Sequence, residues 1–208
     1  MPRSGPPSPG SVTRRTALKA FGTGAGAALL PWLSPAGLQA FARLQETGAP
    51  PALKVLTKAQ YQTVDRLMEA IIPADDRSPG AREARVADFV DLWLSEADEP
   101  VRQDFTSGLQ LLEAEARGRF DAGFSGLEDA QVEALLTEAS RSEEEPKTPL
   151  EAFFRTAKEA AVDGYYSSEI GVHKELRYKG NQLLGAFVGC ETQDGRDCPH
   201  CGQKGVEA

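Results

Sequence analysis

The chain has 208 residues, 40% hydrophobic and 26% charged, with 31 acidic side chains against 23 basic ones. That length suits a single core of ordinary size. The net charge of −8 disfavours nucleic acid and anionic membrane surfaces as partners, because both repel it. The charge is also uneven: residues 1–42 hold four basic residues and no acidic one, which leaves the remainder at −12.

That N-terminal stretch reads in three parts. Residues 1–19 are rich in Pro, Ser and Gly, and within them Thr13-Arg14-Arg15-Thr16-Ala17-Leu18-Lys19 sets an arginine pair before an apolar-apolar-basic tail. The pattern resembles a twin-arginine export signal, with Ala17 where a bulkier apolar residue is usual. Ala20 to Leu33 follows, a weakly hydrophobic run diluted by Gly22, Gly24 and Gly26. It is shorter than the roughly 20 apolar residues of a membrane-spanning helix. A small-x-small cut site is then offered by Ala40-Phe41-Ala42. The expectation is a signal over residues 1–42, either cleaved or kept as an anchor, and a protein exported to the periplasm. A basic tail running into a short buried helix is the alternative reading.

Residues 43–56 read as a linker, marked by Gly48-Ala49-Pro50-Pro51. Helix signals then follow one another. Thr57 with Gln60 makes a capping box ahead of Tyr61, Val64, Leu67, Met68, Ile71 and Ile72, and Pro73 ends that helix. After the turn Asp75-Asp76-Arg77-Ser78-Pro79-Gly80, a helix is predicted from about Ala81 to Leu94, with Val86, Phe89, Val90 and Trp93 on one side. Pro100 begins a third helix striped by Val101, Phe105, Leu109, Leu112 and Ala116. Ser125 with Glu128 reads as a second capping box before Val132, Leu135 and Leu136. Thr148-Pro149-Leu150-Glu151 starts a fifth helix, predicted to stop at Gly164. The fold class expected is all-α, a compact bundle of about five helices over residues 57–190 with an irregular Gly/Tyr-rich C-terminal segment. A cysteine-containing tail, residues 191–208, closes the chain.

Few residues carry an obvious chemistry. Cys190, Cys198 and Cys201 lie in the last nineteen residues, with His200 inside Cys198-Pro199-His200-Cys201. That spacing suits Zn²⁺ or a redox disulfide, while in an oxidising compartment the simpler reading is a structural disulfide pinning the tail, with one of the three cysteines left over. A stand-alone metal or redox protein is the function this tail would support. The Asp75-Asp76 pair more simply solvates or caps its turn, and Glu143-Glu144-Glu145 reads as a solvated face. His173 has no nucleophile motif beside it, and no phosphate loop, Gly-x-Ser-x-Gly or His-Glu-x-x-His occurs. The glycines at 22, 24 and 26 follow no strand and make no dinucleotide fingerprint. No cofactor is therefore expected in this chain. The segment Asp163 to Asn181 stands apart, because Gly-Tyr-Tyr-Ser-Ser-Glu-Ile-Gly at 164–171 is followed by Tyr178-Lys179-Gly180-Asn181. Tyr165, Tyr166, Glu169, Tyr178 and Asn181 are candidate partner-binding residues, tyrosine being favoured at interface centres. The alternative is that Tyr165 and Tyr166 cover one end of the bundle.

Taken in order, four features resemble the gluconate 2-dehydrogenase subunit 3 family. They are the arginine-pair signal; Leu56-Thr57-x-x-Gln60 leading to Ile71-Ile72-Pro73-Ala74-Asp75 and Ser78-Pro79-Gly80-Ala81; the 164–171 segment; and Tyr178-Lys179-Gly180-Asn181. The resemblance implies a small, non-catalytic subunit of a periplasmic dehydrogenase complex. Its partners would be a flavoprotein catalytic subunit of the glucose-methanol-choline type, holding FAD, and a cytochrome c subunit. The small subunit would assist export and assembly of the large one. The cysteine tail has no place in that pattern.

Overall fold

Helices form where the caps and apolar periods of the sequence overlap. The computed structural model describes residues 33–50, 52–178 and 180. In chain order they build α1 (Pro35–Thr47), α2 (Lys58–Ile71), α3 (Val86–Glu96), α4 (Glu99–Phe120), a 3-10 turn (Phe124–Gly126), α5 (Asp129–Ala139), α6 (Pro149–Tyr166) and a π turn (Ile170–Glu175). No strand occurs among the described residues, so the fold is all-α as expected. Of the described residues, those up to Arg177 form one unit, and Tyr178 and Gly180 belong to a second.

Two of the three capping boxes stand where they were predicted. Thr57 accepts from the Gln60 N–H at 3.3 Å, and the Gln60 side chain accepts from the Thr57 N–H at 2.9 Å. Thr148 and Glu151 do the same for α6 at 3.2 and 2.9 Å. The box assigned to Ser125 is displaced. Phe124 and Leu127 are both drawn into the core, and the 3-10 turn that buries them leaves Glu128 and Gln131 to cap α5.

Three boundaries move for tertiary reasons. α3 starts at Val86 rather than Ala81, because Arg85 adopts a left-handed conformation (φ 60°) and residues 81–85 form a turn. α6 runs through Gly164 to Tyr166 instead of stopping there. The glycine is a point of close approach: a Cβ on it would lie 2.9 Å from both Val86 and Phe89. At the N-terminal side, the linker expected over 43–56 shortens to residues 48–56, since 43–47 complete α1. The cut expected at Ala40-Phe41-Ala42 falls inside this helix, where Phe41 is 1% exposed and packs edge-on against Phe89, ring centres 5.4 Å apart.

α3 lies at the centre, packed against α1, α2 and α6, while α4 packs on α6. Every residue from Val86 to Leu94 is buried. An edge-to-face chain continues outward, Trp93 to Phe105 at 5.4 Å and Phe105 to Phe153 at 5.3 Å, tying α3, α4 and α6 together.

Candidate functional site

Two segments distant in sequence meet at the end of α6. The loop after α2 is closed by the Ala81 N–H donating to the Ile72 carbonyl at 2.9 Å. Inside it, Asp75 accepts from the Arg77 and Ser78 N–H groups, both at 2.8 Å. These bonds, from Ser78 first and Arg77 second, hold the Asp75 carboxyl below its ordinary value. Asp75 thus organises a turn, and among the described residues no group of three or more His, Cys, Asp or Glu is arranged to hold a metal ion.

Onto this turn comes Tyr165. Its phenol donates to the Pro79 carbonyl at 2.8 Å and lies 3.1 Å from the Ser78 hydroxyl. The Ser78 hydroxyl in turn donates to Glu175 at 2.8 Å. Burial pushes the Tyr165 phenol pKa up, while the Ser78 hydrogen bond works against that rise. Ser168, fully buried, donates to the Tyr165 carbonyl at 2.6 Å and accepts from the Gly171 N–H at 3.0 Å. A Cβ at Gly171 would sit 2.1 Å from the Tyr165 carbonyl oxygen, so the chain can double back here only without a side chain.

The Gly/Tyr segment was expected to be irregular. Instead it is the last turn of α6 running into a π turn, because these bonds satisfy the carbonyls that a helix end leaves open. The candidate residues separate accordingly. Tyr165 is 2% exposed and serves as an internal cross-link, whereas Tyr166 is 41% exposed, its ring edge-on to Tyr165 at 5.4 Å. Glu169 is exposed, and its N–H donates to Gln45 of α1 at 3.1 Å. Val162, one turn before Tyr166 on the same face of α6, is also exposed. Tyr178 belongs to the second unit. Arg14, Arg15, Asn181, Cys190, Cys198, His200 and Cys201 lie outside the described residues.

A second polar system escaped the sequence reading. Asp91, on α3, accepts from the N–H groups of Lys54, Val55 and Leu56 at 2.7, 3.1 and 2.8 Å. Asp88, next to it on the helix, accepts from Arg85 at 2.6 Å and from the Tyr61 phenol at 3.3 Å. Burial, with Asp88 beside it, raises the Tyr61 pKa. The Arg85 guanidinium also donates to the carbonyls of Leu44 and Ala49 at 2.6 and 2.7 Å. The signal was present in Val86-Ala87-Asp88-Phe89-Val90-Asp91-Leu92-Trp93-Leu94: two carboxylates in an otherwise apolar run need buried partners.

Fold and site together define a helical module whose internal polar groups fasten segments to one another. What α6 and the residues just after it turn outward are Val162, Tyr166 and Glu169. The chain belongs to the gluconate 2-dehydrogenase subunit 3 family, whose model matches residues 58–184. It is by that membership a subunit of an oxidoreductase complex, and other subunits are its partners. The match begins at the first residue of α2, so α1 and the strap over 48–56 lie before it although both are bonded to α3. No curated protein and no solved structure matches the chain. None of the helices among the described residues is long and apolar enough to cross a membrane.

Proposed function

We propose that this chain is a non-catalytic accessory subunit that carries a flavoprotein dehydrogenase through the twin-arginine pathway and remains with it in the periplasm. The observation that carries the reading is the family match over residues 58–184, which covers α2 to α6. Arg14 and Arg15 supply the export signal for the pair. The catalytic subunit, of the glucose-methanol-choline type, holds the FAD and oxidises a sugar, sugar acid or alcohol, and a cytochrome c subunit takes the electrons. Tyr166, with Val162 and Glu169 beside it, is the face of α6 offered to that subunit. Tyr165 acts behind it by fixing the helix end to the Ser78–Pro79 turn.

The test is co-expression of the full chain with a flavoprotein dehydrogenase subunit that has no signal of its own. Dehydrogenase activity is expected in the periplasm, and it should disappear with Arg14→Lys/Arg15→Lys. A flavoprotein that reaches the periplasm equally well without this chain would overturn the reading. Stoichiometric zinc or iron in the purified full chain, lost in Cys198→Ser/Cys201→Ser, would instead favour a metal or redox role for the tail.

A further inference from the structure

A groove of about 820 Å³ runs between α4 and α6 beside the corner that joins α3 to α4. Its floor is aromatic, formed by Trp93, Phe105 and Phe153. Gly108 lets Phe153 lie close against α4, since a Cβ there would stand 2.1 Å from the ring. Val101 and Leu111 add apolar side chains that are 41% and 43% exposed. Around this floor stand four carboxylates, Glu96, Asp98, Asp104 and Glu159, and no lysine or arginine lines the groove. Among the described residues no ion pair engages any of the four.

The path of the chain says what reaches this groove first. Ser34, the N-cap of α1, donates from its N–H and from its hydroxyl to the two oxygens of Glu96, both at 2.8 Å. Leu33 is buried just before it. The first described residues, Leu33 and Ser34, therefore stand beside a carboxylate that lines the groove, and residues 1–32 precede them in the chain. That leader carries Arg3, Arg14, Arg15 and Lys19, no acidic residue, and the apolar run from Ala20. Leu33 lies fourteen positions after Lys19, a span of roughly 21 Å as helix or roughly 46 Å extended.

We infer that the α4/α6 groove is the docking site of the chain's own export signal, with the apolar run from Ala20 on the aromatic floor and the basic residues Arg14, Arg15 and Lys19 meeting the carboxylates around it. The inference rests on the export reading above and adds to it a resting place for the signal. Charge complementarity sets the register, and burial of the apolar run holds it. Docking keeps an apolar, basic leader off other surfaces until the export machinery binds it.

The test is limited trypsin digestion of the purified full chain, with cuts after Arg14, Arg15 and Lys19 followed by mass spectrometry. Cleavage tracks the undocked population when docking is fast. Asp104→Asn/Glu159→Gln and, separately, Val101→Ser/Leu111→Ser are expected to speed these cuts about tenfold, with a fall in thermal midpoint no larger than the lost docking accounts for. Leader cuts in the unaltered chain as fast as in a peptide of residues 1–33 would overturn the proposal. So would cuts indifferent to both variants, or a dimer dissociated by them with no change in leader cleavage, which would give the groove to a second copy. Arg14→Lys/Arg15→Lys keeps the charge, so the leader should stay protected while export stops. Protection with undiminished export would sink the export reading and leave the docking intact. Lost export with an unprotected leader would do the reverse.

Discussion

α3 and α4 follow one another across a two-residue corner, Ala97 and Asp98, yet they meet water in opposite ways. α3 buries nine consecutive residues, including Asp88 and Asp91. α4 buries one stripe of five, Phe105, Gly108, Leu109, Leu112 and Ala116, and leaves Val101 and Leu111 exposed. The carboxylates of α3 accept from the strap before α2, from Arg85 and from Tyr61. Those along the α4 groove face solvent. The same residue types thus do two jobs: buried, they fasten the chain to itself, as Glu96 also does at the groove's edge through Ser34; exposed around an apolar floor, Asp98, Asp104 and Glu159 suit a basic ligand.

If α3 is the fastening post, its contacts should dominate stability. Phe41→Ala, which empties the space against Phe89, should cost about 4 kcal/mol in chemical denaturation. Because α1 belongs to the core, the exported protein should also begin no later than Ser34, as read by intact mass. A mature chain starting at Ala42 or beyond, with unchanged stability, would break the contrast. Asp91→Ala should cost about 3 kcal/mol by leaving three backbone N–H groups without their acceptor. The matched change on the other helix, Asp104→Ala, should stay within about 0.5 kcal/mol. Equal costs at the two sites would erase the distinction.

Tyr165→Phe tests the second fastening, at the end of α6. It removes the donor to the half-buried Pro79 carbonyl and should lower stability by about 1 kcal/mol. If Tyr166 is the outward partner of this pair, Tyr166→Ala should weaken association with the flavoprotein subunit more than Tyr165→Phe does, measured by co-purification. The smallest effect concerns pH. The folded carboxyl of Asp75 titrates below its ordinary 3.8 because two backbone N–H groups bond to it. A depressed folded pKa contributes stability above the unfolded value and loses it as the pH falls through the folded one. The gap in thermal midpoint between the unaltered chain and Asp75→Asn should therefore be widest near neutrality. It should close well below pH 3.8.

Much of the fold was legible because helix signals are local. Thr57 with Gln60, Thr148 with Glu151, and the stripes of α2 and α4 each depend on residues within a turn or two of one another. Glu128 took the cap expected of Ser125 because Phe124 and Leu127 had to reach the core first, and that demand comes from other helices. Gly164 read as a helix stop, since isolated glycine commonly is one, but α3 made it a contact point. The candidate partner residues were read as a group from the Gly/Tyr composition of residues 164–181. Burial alone then separated Tyr165 from Tyr166, neighbours that the sequence treats alike.

By itself, the sequence determined the all-α class, the caps of α2 and α6, the basic leader and the ordered motifs that mark the family. These follow from spacings within a few residues, or from composition, and need no knowledge of what packs where. Only the tertiary structure decided that α1 joins the core, that Asp88 and Asp91 bind a strap and an arginine, and that Tyr165 closes onto Pro79. Each of those depends on burial and on partners tens of residues away, and a buried polar group's worth is set by the partner it meets.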